Sequence, residues 1–571
     1  MGEAARAEVA ALAAEGQIFA AHDRAMAALA AGATDDWLAQ HAVLTLAQTG
    51  ALGPALALFH RLGLDRRRDL ELAGLGARLR KDVALASREP ADAARAFAAA
   101  FALWRRSTDP WPGVNAAAMA LLAGRKRLSR RLAARLLHLP DRGDYWSAAT
   151  AAEAALLAGE EDRAARLLVE AAARGAEDLR ARASTARQLH WEIALLGADP
   201  RLVALLAIPM TAHFCGRIPP PGATATLPPA ALAAALAGVG FAFGSLAAGG
   251  DIVLAEALLA HGARVTALLP FPPAAFEAAS VAPAGAEWVA RFRALLPRCD
   301  VEVLEPSPVD DLDFALVSRR AMGRVRLHAA SLAAEAVQIA VVDAEEARSP
   351  AGTGADIATW RAAGGQTRRL VSPWPRRPPA AGAAPARRAL AVLFGDLRGF
   401  GALDDAALAR FYAAPMGALA TAIEAGAPLY RNAWGDAVQL VLPDVAAACA
   451  TAERLRRALP PVLLARCALP EGLVPRIALD FGALLAVFDA VQGVAKFAGR
   501  SMTRAARIEP VTPPGAIYAT ESFACELALA RGAGHLAEYA GKVPTAKGFG
   551  TLPLYAVRPA PAAGAGENQD G

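Results

Sequence analysis

The chain has 571 residues, 55% hydrophobic and 20% charged, with 60 Lys+Arg against 55 Asp+Glu. That length exceeds what a single hydrophobic core supports, so several domains are expected. The net charge of +5 is small and spread along the chain, which argues against a nucleic-acid partner. Five cysteines (Cys215, Cys299, Cys449, Cys467, Cys525) show no CxxC or CxxH spacing, so neither a disulfide framework nor a zinc site is indicated. Met1 to Arg6 carries mixed charge in place of a secretion signal. The uncharged stretch Ile218 to Gly250 is interrupted by Pro219 to Pro221, Pro228 and Pro229 and is mostly Ala and Gly, too weak for a membrane span. A soluble, cytoplasmic protein is expected.

Residues 1–205 read as helical, with Ala, Leu, Arg and Glu dominant and apolar residues three and four apart. Trp37 to Ala47 and Ala55 to Phe59, joined at Thr49-Gly50, form a helix, small-residue turn and helix. The layout returns in Tyr145 to Leu157, Gly159 and Ala164 to Leu168, with Pro90 to Leu103 as an intermediate copy. It resembles degenerate tetratricopeptide (TPR) repeats, which implies stacked helix pairs and a surface for a protein partner. Pro110-Trp-Pro-Gly-Val-Asn115 is expected to be an inter-helix loop, with Trp111 serving packing rather than ligand contact.

From 206 to 375 short apolar runs alternate with helical segments, at Ile208 to Phe214, Val239 to Phe243, Arg264 to Leu269, Val301 to Leu304, Gln338 to Val342 and Arg369 to Val371. That alternation predicts a parallel, Rossmann-like α/β domain. After the second run, Gly244, Ser245, Gly249 and Gly250 form a loop that opens a helix. Free backbone N–H groups at such a terminus make a candidate second nucleotide or phosphate site. Gly-Ser-Leu-Ala-x-Gly-x-Asp (244–251) and Leu269-Pro-Phe271 resemble nucleotide-sensing Rossmannoid folds related to lysine-decarboxylase-like and TIR-like proteins. Gly352-Thr353-Gly354 is a second loop expected at the same edge, and Glu256 is expected to face solvent on its helix.

The Pro/Ala-rich segment 376–386 reads as a linker, and 559–571 lacks apolar periodicity and reads as a disordered tail. Between them, the apolar run Ala389 to Phe394 is a strand that delivers Asp396 at its end. Gly435 and Asp436 occupy the turn of a hairpin between Tyr430 and the strand Ala437 to Leu442. If the strands are neighbours, the two carboxylates converge. Acids about 4 Å apart repel strongly in a partly dry site, and their hard oxygen donors suit Mg²⁺ or Mn²⁺.

Five blocks occur in order: Phe394-Gly-Asp-Leu-Arg-Gly-Phe400, Trp434-Gly-Asp436, Pro475-Arg-Ile-Ala-Leu-Asp-Phe-Gly482, Gly499-Arg-Ser-Met-Thr-Arg-Ala-Ala-Arg507, and Lys547-Gly548 before a closing strand. Through them residues 387–558 resemble the catalytic domain of class III adenylate/guanylate cyclases. The resemblance implies a ferredoxin-like α/β domain that works as a head-to-tail homodimer, converting ATP or GTP to a 3′,5′-cyclic nucleotide and pyrophosphate. It puts two divalent ions on Asp396 and Asp436, the triphosphate on Arg476 and Lys547, and charge stabilisation at the α-phosphate on Arg507. Base recognition falls on Asn432 and Lys496, and the transition-state amide of the family is replaced by Thr503. These departures leave the choice of purine open. They also admit an alternative, a catalytically degenerate signalling scaffold that binds nucleotide and protein partners. The implied sites are composite, with Asp396, Asp436 and Arg476 from one subunit and Asn432, Lys496, Thr503, Arg507 and Lys547 from the other. The expected whole is multidomain, α then α/β, in a bacterial intracellular signalling protein.

Overall fold

The computed structural model describes residues 2–67, 69–107, 110–223, 227–304, 310–343, 352–374 and 387–561. The expected linker lies outside the described residues, as does residue 562 onward of the expected tail.

Helices fill the N-terminal third in consecutive pairs: Gly2–Ala14 with Ile18–Ala30, Asp36–Gln48 with Leu52–Arg61, Leu70–Ser87 with Pro90–Trp104, Pro110–Leu122 with Lys126–Leu136, and Tyr145–Ala158 with Glu161–Arg174. Leu179–Leu196 follows them. A local rule starts the first member of most pairs. Asp35, Asp69, Asp144 and Asp178 each stand at an N-cap and accept from backbone N–H groups two or three residues on, as Asp35 does from Trp37 at 2.9 Å. Such a cap satisfies an otherwise orphaned donor and stabilises its helix by about 1 kcal/mol. The second members Leu52–Arg61, Pro90–Trp104, Lys126–Leu136 and Glu161–Arg174 have no side-chain cap and are held by their apolar faces. The loop expected at 110–115 is instead the first turn of a helix. Proline there lacks only an N–H that a first turn leaves unpaired, so Pro110 and Pro112 start the helix and do not break it.

The parallel layer holds β1 (Met210–Gly216), β2 (Val239–Gly244), β3 (Arg264–Leu269), β4 (Asp300–Val303), β5 (Ala336–Val342) and β6 (Gln366–Val371), in the order β4-β3-β2-β1-β5-β6. Every neighbouring pair is parallel, with helices in the connections. The order reverses between β1 and β5. The uncharged stretch 218–250 is divided between the helix Pro229–Leu236, β2 and the turns around them. Among the described residues no single helix is long and apolar enough to cross a membrane. One bent pair, Asp405–Ala413 with Pro415–Glu424, passes by length and composition, and its Phe411 and Leu419 are buried in the core of the C-terminal domain.

The C-terminal sheet contains β7 (Arg387–Arg398), β8 (Tyr430–Trp434), β9 (Ala437–Leu442), β10 (Val474–Asp489), β11 (Val494–Ala498), β12 (Ile517–Thr520), β13 (His535–Pro544) and β14 (Thr551–Pro559). Its order is β13-β14-β12-β10-β7-β9-β8, with β11 on the outer half of β10. Only β10 and β12 run parallel. Alternation along β7 sends Ala391, Leu393 and Leu397 to one face, under the helices Asp405–Ala413, Val445–Arg457 and Glu521–Leu529. Leu390 and Val392 face the helix Arg500–Ile508 through Met502 and Ala505.

The helix Leu312–Leu332 binds the two sheets together. It lies on β1 and β2 and against Glu521–Leu529 of the C-terminal domain. Gly323 makes that approach possible, since a Cβ there would stand 2.4 Å from both the Cβ and the carbonyl oxygen of Cys525. Ion pairs flank the contact: Arg319 with Glu526, and Arg320 with Glu521 at 2.5 Å. One continuous apolar cluster runs from Val9 and Leu38 of the helical region through Phe241 and Phe243 to Ala524, Tyr539 and Tyr555.

Candidate active site

Asp396 sits near the end of β7 on the face turned toward the helix Arg500–Ile508. Its neighbours on either side supply the rest of the group. On β10, Arg476 is the direct cross-strand partner of Asp396 and donates to it at 2.5 Å. On the other side, β9 pairs with β7 and follows a turn in which Gly435 takes a positive φ of 64°, and Asp436 comes next. Its carboxylate accepts from the Leu397 N–H at 3.2 Å, and the two aspartates share a hydrogen bond. Glu509, just past the helix Arg500–Ile508, forms an ion pair at 3.0 Å with the Nε of Arg476. The strand order β10-β7-β9 therefore assembles two carboxylates and a guanidinium from three separate segments.

The electrostatics follow from crowding. Burial works against the charge of Asp396, yet hydrogen bonds from Asp436 and Arg476 outweigh it and hold this carboxyl below the ordinary range. Burial and then the neighbouring Asp396 push Asp436 up to about 6, and burial pushes Glu509 up to about 7 against the pull of Arg476. Such a pair needs a proton, a guanidinium or a metal ion to sit together. Among the described residues no group of three or more His, Cys, Asp or Glu is arranged to hold a metal. Two carboxylates fit Mg²⁺ or Mn²⁺ in another way, because Mg²⁺ commonly takes one or two acids and completes its shell with water and substrate phosphates.

The helix Arg500–Ile508 runs back along β10, and each step is a specific contact. Gly482 faces Ser501, where a Cβ would fall 2.3 Å from the Ser501 hydroxyl. Asp480, fully buried, accepts from Arg504 Nε at 2.7 Å, Thr520 Oγ1 at 2.5 Å and Phe481 N–H at 2.8 Å. Ala478 packs with Ile508, and Arg476 meets Glu509. This helix carries Thr503, which is exposed, and Arg507. Neither Asp480 nor Glu509 was singled out from the sequence. Asp480 belongs to a block already noted there, where a lone acid in the apolar strand Ile477 to Phe481 was the available signal, and Glu509 lies two residues past the block that ends at Arg507.

The other predicted residues lie apart from this group. Asn432 is exposed on the edge strand β8, beside Trp434, which is 88% exposed. Lys496 stands on β11 and is ion-paired with Asp489 of the same hairpin. Lys547 is exposed in the β13–β14 connection with a left-handed φ of 57°. No hydrogen bond or ion pair among the described residues joins Asn432, Lys496, Thr503, Arg507 or Lys547 to Asp396 or Asp436.

The glycine loop after β2 turns out to be built for close packing. A Cβ on Gly250 would lie 2.5 Å from the Cα of Gly216, one on Gly244 would lie 2.4 Å from the Phe214 carbonyl, and Gly249 has a φ of 91°. Ser245 joins the same turn, with its hydroxyl enclosed and without a hydrogen-bond partner. Asp251, in the first turn of the helix Gly250–Ala260, ties the loop to β1, accepting from Gly216 N–H at 2.6 Å and Ala247 N–H at 3.2 Å. Burial raises this carboxyl to about 7. Gly244, Ser245, Gly249 and Gly250, the expected second nucleotide site, thus lie in a turn pressed against β1. Glu256 does not simply face solvent, because Arg291 clamps it at 2.5 and 3.0 Å. Gly352, with φ 96°, opens the helix Thr353–Ala362.

No protein-family model matches the chain, and no curated protein does. Among solved structures it is similar to the adenylyl cyclase CyaB from P. aeruginosa, at 18% identity and TM-score 0.27, over 30% of this chain and 94% of that one. It is also similar to the guanylate cyclase domain of RhGC from Catenaria anguillulae in complex with GTP, at 17% identity and TM-score 0.26, over 30% and 97%. A third is an adenylate cyclase from Trypanosoma brucei in its monomeric state, at 16% and 0.25, over 30% and 91%. Likeness at that level decides nothing about chemistry, which has to rest on the residues.

Proposed function

We propose that the C-terminal domain is a class III nucleotidyl cyclase of ferredoxin-like fold that converts ATP or GTP to a 3′,5′-cyclic nucleotide and pyrophosphate. The observation that carries this is the meeting of Asp396, Asp436 and Arg476 from three strand segments, in the order and spacing of the five sequence blocks. Asp396 and Asp436 would hold Mg²⁺ or Mn²⁺, which when bound acidifies the ribose 3′-hydroxyl and neutralises the triphosphate. Arg476 then exchanges its contact with Asp396 for triphosphate oxygens, steadied from behind by Glu509. Thr503, Arg507 and Lys547 act from a second copy in a head-to-tail homodimer, with Arg507 on the α-phosphate and Lys547 on the terminal phosphates. Asn432 and Lys496 face the base, Lys496 as a pair with Asp489. The domain is preceded by a TPR-like helical platform (1–205) and a Rossmann-like domain (206–375), in a cytoplasmic signalling protein.

The pairing of Lys496 with Asp489 and the hydroxyl at Thr503 favour a second reading, a nucleotide-binding scaffold without turnover. One assay separates them. The full chain is incubated with ATP or GTP and Mn²⁺, and cyclic product is measured beside the Asp396→Ala variant. Product from the parent with a loss of at least about 100-fold in the variant, the scale of removing one essential charge-stabilising group, supports the cyclase. No product from either nucleotide, at concentrations where the protein dimerises, supports the scaffold.

A further inference from the structure

Helices of the N-terminal third line a cavity of about 370 Å³. The first members of four pairs contribute Gln48, Arg78, Trp111 and Trp146 to its wall, and the helix Leu179–Leu196 contributes Ser184. Trp111 and Trp146 are 36% and 40% exposed, so both indoles present open area although flanking residues are well packed.

Two polar atoms in this wall are left without partners. Gln48 is only 3% exposed, and its side-chain carbonyl Oε1 accepts no hydrogen bond. The Nε of Arg78 is buried and makes no hydrogen bond, with the nearest acid, Asp82, at 3.8 Å and Ser184 at 3.4 Å from another guanidinium nitrogen. A buried donor or acceptor left unmade is costly, so a ligand that satisfies both is favoured over one that leaves them unmade. Arg142 and Arg180 join Arg78 in the wall, set against Glu71 and Asp144. Behind Arg78, Lys81 donates to Gln188 at 2.7 Å.

We propose that this cavity binds a small aromatic acid, its ring against Trp111 and Trp146, its carboxylate on Arg78, and a hydrogen-bond donor directed at Gln48. Flat rings bind tryptophan faces well, and a guanidinium discriminates a carboxylate from a neutral head group. The pocket volume suits a molecule of that size.

The test is calorimetric titration of the full chain with three probes: indole-3-acetate, indole-3-acetamide and benzothiophene-3-acetate. The first has the ring N–H and the carboxylate, the second loses the charge, and the third loses the donor. The expected result is saturable binding of indole-3-acetate, at least 10-fold weaker binding of the amide and several-fold weaker binding of the benzothiophene. Trp146→Ala, at an exposed position, should weaken indole-3-acetate at least 5-fold with the unfolding temperature unchanged, and Arg78→Met should erase the preference for acid over amide. The proposal is overturned by equal binding of acid and amide, by an unaltered Trp146→Ala titration, or by no heat from any probe up to millimolar concentration. Binding of an N-acetylated tripeptide ending in tryptophan, with none of indole-3-acetate, would assign the groove to a protein partner and overturn it as well.

Discussion

Asp480 shows how much can depend on a residue that touches no substrate. Fully buried, it ties Arg504 of one helix, Thr520 of β12 and the backbone of β10 into one node beneath the helix that carries Thr503 and Arg507. Removing one partner of a buried ion pair leaves the other charge stranded, so Asp480→Ala should lose about 3–5 kcal/mol in urea unfolding. Asp480→Asn keeps an acceptor for Thr520 and should lose less stability, while lowering turnover by letting the helix shift. His213 offers a cleaner pH experiment. Burial alone holds its ring down to about 3, against an ordinary value of 6.5, and Gln338 lies 3.1 Å from its Nδ1. Above pH 6.5 the ring is neutral whether folded or not. Below it the unfolded chain takes up a proton that the fold refuses, so stability falls by about 1.4 kcal/mol per pH unit until the folded value is reached. Between pH 6.5 and 5 that amounts to about 2 kcal/mol. Urea unfolding at pH 7.5 and pH 5 should therefore show His213→Gln gaining about 2 kcal/mol on the parent at the lower pH, and an unchanged difference would mean that His213 is protonated within the fold.

At the level of elements, glycines divide into those that other backbone presses upon and those that nothing meets. Gly250 faces Gly216 at a distance no Cβ tolerates, so Gly250→Ala should cost about 1–3 kcal/mol by forcing β1 and its helix apart. Gly417, inside the helix Pro415–Glu424 with open space around it, should gain about 0.5–1 kcal/mol on becoming alanine, because helical backbone is costlier to order at glycine. Thermal unfolding of the two variants reads both signs. The same division explains what was legible in the sequence. Strands β1 to β5 were found within two residues and β6 within three, because buried parallel strands are continuous apolar runs, which periodicity detects. Asp396 and Asp436 were legible because a strand end and a hairpin turn are local signals. The Pro110 helix start was not, since Pro-Trp-Pro-Gly satisfies turn chemistry equally well. The tie of Asp251 to β1, the Lys496–Asp489 pair and the Arg476–Glu509 contact depend on which groups meet across space, and spacing along one chain does not encode that.

Over the whole molecule, a proline-rich segment between two folded regions suggests separable modules, yet the apolar cluster shared by the helical region, the parallel sheet and the C-terminal sheet says otherwise. Tyr539 of β13 donates to Asp23 at 2.8 Å and packs edge-on to Phe19 at 4.9 Å, and the Gly53 N–H donates to Glu538 at 3.0 Å. Cutting at the linker would leave Ala524, Tyr539 and Tyr555 facing water. A fragment of residues 387–571 should accordingly self-associate or aggregate in light scattering where the full chain does not, and a monodisperse, fully folded fragment would contradict the shared core.

Gly323 sets the spacing of this arrangement. Because it lets one backbone rest flush on Cys525 with no side chain between, the gap between the long helix and the C-terminal sheet has no slack to absorb a change in either. A shift of the long helix by even the width of a methyl group would be handed on undamped to the segment Glu521–Leu529, as a rigid coupling passes rotation from one shaft to another. The chain dispenses with a flexible joint at the point where its halves meet, and whatever moves the upstream layers must move the downstream sheet too.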